Sequence, residues 1–156
     1  MRLTAVVTLL LILGFSVWAN EIRHRVERSS DVERELGYKL SIQDKHDAWR
    51  AEGLDKVFPI KGPGPEYMVR FHATTTGKLK DLFGLTLTLT GADGMLVQVP
   101  LAVRSKWEKD NEVSVQFLIK KDMINRAELT VRCGLPNLEE SYVIRLSDHV
   151  PEQANP

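Results

Sequence analysis

From residue 38 onward, apolar and polar side chains exchange places at every second position. Tyr38, Leu40 and Ile42 interleave with Lys39, Ser41 and Gln43, the mark of a strand with one buried face. Tyr67, Val69, Phe71 and Ala73 repeat the pattern, with Met68, Arg70 and His72 on the other parity. Leu85, Leu87 and Leu89 alternate with Thr86, Thr88 and Thr90. Gly91-Ala92-Asp93-Gly94 then reads as a turn, and Met95, Val97, Val99, Leu101 and Val103 resume the inward parity. Val113–Ile119, Ala127–Cys133 and Tyr142–Leu146 complete seven predicted strands. Between them, Lys121–Ile124 is expected to form one helical turn, and Asp44 to Leu54 another.

No long amphipathic helix separates these strands. One-sided alternation argues against a parallel sheet, whose strands are apolar on both faces. The expected class is mainly β: an antiparallel β-sandwich of about seven strands, with a small β-barrel as the alternative. In architecture this is similar to immunoglobulin-like sandwiches, although the usual pair of cysteines is absent. Phe58 to Pro65 holds three prolines and two glycines, which reads as an ordered crossing loop.

The start of the chain follows another pattern. Met1-Arg2 precedes a nearly continuous apolar run from Leu3 to Val17, and small residues end at Ala19. This resembles an export signal, so residues 20–156 are expected in the periplasm or outside the cell. The run falls slightly short of the roughly 20 residues that cross a bilayer, yet a thinned membrane could retain it as an anchor. The far-side placement is then the same. Residues 20–37 are dense in charge and read as a spacer or short helix, with Ser30-Asp31-Val32-Glu33 as a capping box and Gly37 as its stop. The sandwich is assigned to 38–150 and a flexible tail to 151–156.

Charge excludes one broad class. The chain carries 21 basic and 21 acidic side chains. That balance argues against a nucleic-acid binder, which needs a positive field over phosphates. The single cysteine, Cys133, shares the inward parity of Leu129 and Val131 and reads as a buried, inert thiol.

Chemical motifs are absent. His24, His46, His72 and His149 fall at no metal-ligand spacing, and no cofactor loop or nucleophile elbow occurs. Asp44-Lys45-His46-Asp47 and Asp148-His149 read as solvated polar turns. The candidate partner-binding residues are Trp107, Arg104 and Lys106, in a charged loop between two strong strands, with Arg70 and Arg132 on outward strand positions. An exposed tryptophan framed by charge suits a protein partner or a sugar ring. The expected function is an exported, non-catalytic module for protein–protein interaction or envelope assembly. The alternatives are a bitopic accessory subunit anchored through residues 3–19, and a small exported carbohydrate-active hydrolase using dispersed carboxylates.

Overall fold

The two-residue rhythm becomes strand pairing in the computed structural model, which describes residues 22–102, 104–105, 111–135 and 138–151. The described strands are β1 (Ile22–Val26), β2 (Tyr38–Asp44), β3 (Glu66–Thr74), β4 (Leu82–Thr90), β5 (Leu96–Leu101), β6 (Arg104–Ser105), β7 (Glu112–Lys120), β8 (Ala127–Leu135) and β9 (Leu138–Arg145). They form a five-stranded sheet in the order β1-β9-β8-β4-β5 and a four-stranded sheet in the order β2-β3-β7-β6. Neither order closes on itself, which removes the barrel alternative. The fold is mainly β, with two sheets sharing one core, and is consistent with a β-sandwich.

All seven expected strands are present, and the inward parity of six of them builds the core. Val69, Phe71 and Ala73 of the four-stranded sheet pack into one cluster with Leu85, Leu87, Leu129, Val131 and Ile144 of the five-stranded sheet. Cys133 is buried in the same cluster, as its parity implies.

Two strands escaped the sequence pattern. β1 runs parallel to β9, pairing Ile22 with Glu140 and Val26 with Ile144. The charged stretch expected as a spacer therefore adds an edge strand to the sheet. It leaves no rhythm because Val26 is its one buried residue; His24 stays exposed while stacking on Tyr142 with ring centroids 5.0 Å apart. β6 is two residues long, too short to leave a periodic signal.

The short helix α1 (Ser30–Leu36) forms where expected, but its cap lies one residue earlier. Ser29 Oγ accepts from Val32 N–H at 3.1 Å, and Gly37 ends the helix at φ 77°. Moving the cap back releases Glu33 from the capping-box role. Its carboxylate instead lies 3.3 Å from His149 Nδ1.

His149 also departs from the solvated turn expected of it. A 3₁₀ turn, Leu146–His149, tucks the ring against Tyr38, leaving it 6% exposed. Burial pushes its pKa down; Glu33 and Asp148 oppose that shift and Arg28 adds to it. The folded state thus binds its proton less readily than the unfolded chain. Stability from neutral His149 is complete above about pH 6.5 and declines as pH falls below it. The urea midpoint is expected to drop between pH 7 and pH 5, and the drop is expected to shrink in His149→Gln. An equal pH slope in both proteins would contradict the assignment.

A second helix, α2 (Lys45–Ala51), follows β2 directly. Asp44 joins the two and organises what surrounds it. Its Oδ1 accepts the His46 N–H at 2.8 Å, Lys121 Nζ donates to Oδ2 at 2.5 Å, and the Gly64 N–H reaches both oxygens at 2.9 and 3.0 Å. The proline-glycine loop is fastened to the β2–α2 corner in this way. The Asp44–Asp47 segment is thus a structural joint with Asp44 largely covered, and not the solvated turn expected. Trp49 is half-buried on α2 with Lys45 Nζ 4.6 Å from its ring centroid.

Candidate interaction surface

The β4–β5 hairpin turns tightly because Gly91 N–H donates to the Met95 carbonyl at 2.7 Å and Gly94 takes φ 81°. It carries β5 to the outer edge of the five-stranded sheet, where among the described strands it pairs only with β4. Val97 and Val99 stand opposite Leu89 and Leu87, on the core-side parity. Sequence rhythm places them indoors, together with Met95. They are not. Met95 is 66% exposed, Leu96 64%, Val97 53% and Val99 39%. β5 overhangs the sheet edge, so side chains on both of its faces meet solvent. A contiguous apolar edge strand of this kind is a template for pairing with another chain. Pro100 limits such pairing only at the end of the strand, since Leu96–Val99 contains neither proline nor charge.

The chain then crosses to the other sheet through β6. Arg104 pairs with Ser114 of β7, two residues from Gln116, which is the register partner of Arg70 on β3. Two of the sequence-selected arginines therefore share the outward register of the four-stranded sheet, close to where β5 ends. A depression of about 660 Å³ lies there, lined by Arg70, His72, Gln116, Pro100 and Leu101. Arg70 is already engaged. It donates to Gln116 Oε1 at 3.3 Å and Gln43 Oε1 at 3.4 Å, and forms an ion pair with Glu52. Arg132 lies elsewhere, on β8 in the five-stranded sheet, 3.6 Å from Glu139. Trp107 and Lys106 lie outside the described residues.

The larger cleft, about 750 Å³, opens at the other edge of the five-stranded sheet beside β1 and α1. Sequence reasoning missed it, because β1 itself was missed. Tyr142 Oη donates to Glu140 Oε2 at 2.8 Å, and His24 Nε2 lies 3.5 Å from the same oxygen. Burial and then the Glu140 carboxylate push the Tyr142 hydroxyl up to about 12. Burial, Glu140 and Asp81 push the Cys133 thiol up to about 12 as well. Both groups keep their protons near neutral pH, the opposite of an activated nucleophile.

Among the described residues, no group of three His, Cys, Asp or Glu could hold a metal ion. Nor is any described helix long and apolar enough to cross a membrane; residues 3–19 lie outside that description. No protein-family model, curated protein or solved structure matches the chain.

Proposed function

We propose that this chain is an exported binding module that docks an extended segment of an envelope or extracellular protein along β5. The observation that carries this reading is the solvent exposure of Met95, Leu96, Val97 and Val99 on an unpaired sheet edge. A partner strand added there would gain main-chain hydrogen bonds from the open edge and would cover apolar side chains on both faces. The depression beside Arg70 would extend the contact at the C-terminal end of β5.

Strand order supports an immunoglobulin-like reading of the fold. β2-β3-β7-β6 follows the A-B-E-D order of one sheet of such domains, and β9-β8-β4-β5 follows G-F-C-C′ of the other. β1 would be an additional strand beside G. Domains of this architecture separate a stable core from variable edges and loops, which suits a binding role.

Export places the module in the periplasm or outside the cell, either freed from residues 1–19 or held by them. Ile22 follows Ala19 by three residues, a path of no more than about 11 Å. A retained segment would therefore keep the body against the membrane surface rather than on a long stalk.

Photo-crosslinking in the native cell tests the docking edge. A photoreactive amino acid replacing Leu96 is expected to yield a discrete adduct, and the same probe at exposed Lys39 on β2 is not. Val97→Lys with Val99→Lys is expected to abolish the adduct while changing the urea midpoint little, because both side chains reach solvent and neither belongs to the core cluster. No discrete adduct from position 96, or one insensitive to the lysines, would overturn the reading.

A further inference from the structure

The outward face of the five-stranded sheet departs from the neutral balance of the whole chain. Its outward strand positions hold Arg23 and Arg25 on β1, Arg132 on β8 and Arg145 on β9, against Glu128 and Glu139. Register arranges these residues in rows. One row runs Arg23, Ser141, Arg132 and Gly84 across four strands; the next runs Arg25, Val143, Thr130, Thr86 and Pro100. In the first row a serine separates the two arginines and a glycine lies beyond the second. Strand spacing puts their backbones roughly 10 Å apart, within reach of two long side chains converging on one group. Between these two arginines and the threonines of the next row lies a small opening.

That space is a pocket of about 150 Å³, lined by Arg23, Arg132, Thr86, Thr130 and Gln98. Every lining side chain can donate a hydrogen bond, and no carboxylate lines it. No acidic side chain among the described residues pairs with Arg23. Arg132 is held in place from outside the pocket. Glu139 lies 3.6 Å from it, and its guanidinium sits 5.8 Å from the Phe83 ring centroid. Ser141, within the row, is 1% exposed and does not line the pocket.

We propose that this pocket is a site for a tetrahedral oxyanion, a phosphate or sulfate group, held between Arg23 and Arg132. Two guanidinium groups match the charge and the forked acceptor geometry of such a group. The two threonine hydroxyls and the Gln98 amide reach oxygens that the arginines leave free. The volume lies well below the roughly 300 Å³ of small-molecule pockets, so it accommodates the anionic group and not a whole metabolite. The rest of the ligand lies over the open sheet face. The source is a lipid headgroup or a soluble ester, and Arg23 is only four residues beyond Ala19.

Nuclear magnetic resonance on the full chain in neutral detergent micelles tests this. Inorganic phosphate is titrated while the amide signals of Thr86, Gln98 and Thr130 and the side-chain Nε–H signals of Arg23 and Arg132 are followed. In a second arm the micelles are doped with phosphatidic acid. Saturable shifts of these signals in either arm support the site, and the responding arm identifies the source. Acetate is expected to bind at least tenfold more weakly than phosphate. Arg23→Gln is expected to weaken binding about tenfold, and Arg132→Gln similarly. Arg25→Gln removes the same charge from the same face outside the pocket and is expected to change affinity less than twofold. Should Arg132→Gln perturb folding, Arg23→Gln on the exposed edge strand carries the comparison. The absence of saturable shifts in both arms would overturn the proposal. So would equal losses in Arg23→Gln and Arg25→Gln, or acetate binding as tightly as phosphate.

Discussion

Phe71→Ala is expected to lower the free energy of unfolding by about 4 kcal/mol. Phe71 is 1% exposed and sits midway along β3, opposite Leu40 of β2 and Val115 of β7. Its ring stacks near Tyr38 with centroids 5.8 Å apart. Truncation removes the transfer energy of a whole aromatic ring and leaves a void between two sheets. Backbone pairing on both sides of β3 prevents the strand from collapsing into that void. A loss of this size would consume a large share of the 5–15 kcal/mol typical of single domains. Urea titration should show a much lower midpoint with an unchanged slope, since the surface exposed on unfolding stays nearly the same. A loss below about 1.5 kcal/mol would mean the site repacks, and the shared core would need revision.

Asp44→Asn is expected to cost about 3 kcal/mol at pH 7, the lower end of the range for breaking a buried ion pair. Its side chain is 10% exposed, and its partner Lys121 is 29% exposed. Burial alone would raise the Asp44 pKa, but the bonds from Lys121, Gly64 and His46 outweigh it and hold the group at about 2, below the ordinary 3.8. The charged form is thus the one the fold prefers. Stability from this preference is present above about pH 4 and is lost as pH falls toward 2; its size is about 2 kcal/mol. The remainder of the cost comes from leaving Lys121 unpaired and weakening the cap of α2. Urea midpoints of the two proteins should therefore differ widely at pH 7 and converge toward pH 2. A gap that stays constant with pH would show that the Asp44 charge is not what fastens the loop.

Most of the fold was legible because one-sided burial imposes a two-residue period wherever a strand covers a core. Tyr38–Ile42, Tyr67–Ala73 and Leu85–Leu89 carry that period cleanly, and each is a strand at those positions. β1 was illegible because it buries only Val26; the other four residues, His24 stacked on Tyr142 among them, stay exposed, and a single buried residue leaves no period. His149 misled for a related reason. A histidine near a chain end reads as solvated unless the 3₁₀ turn that folds it onto Tyr38 is known.

The candidate surface divides in the same way. Arg70 and Arg132 were correctly placed on outward positions, but sequence could not say that they lie on opposite sheets. Nor could it say that Arg70 is occupied by Gln116, Gln43 and Glu52, while Arg132 faces Arg23 across Ser141. Those relations join residues far apart in the chain, and alternation records only which side of its own strand a residue occupies.

Sequence alone determined seven of the nine described strands, which parity of each is apolar, and that Cys133 turns inward, because all three follow from local periodicity. Tertiary structure alone decided that β5 overhangs its sheet, leaving Val97 and Val99 in water despite their inward parity. It also decided that Arg23 and Arg132 meet over one small polar pocket. Burial and convergence depend on what the opposite sheet covers, and neighbouring residues carry no record of that.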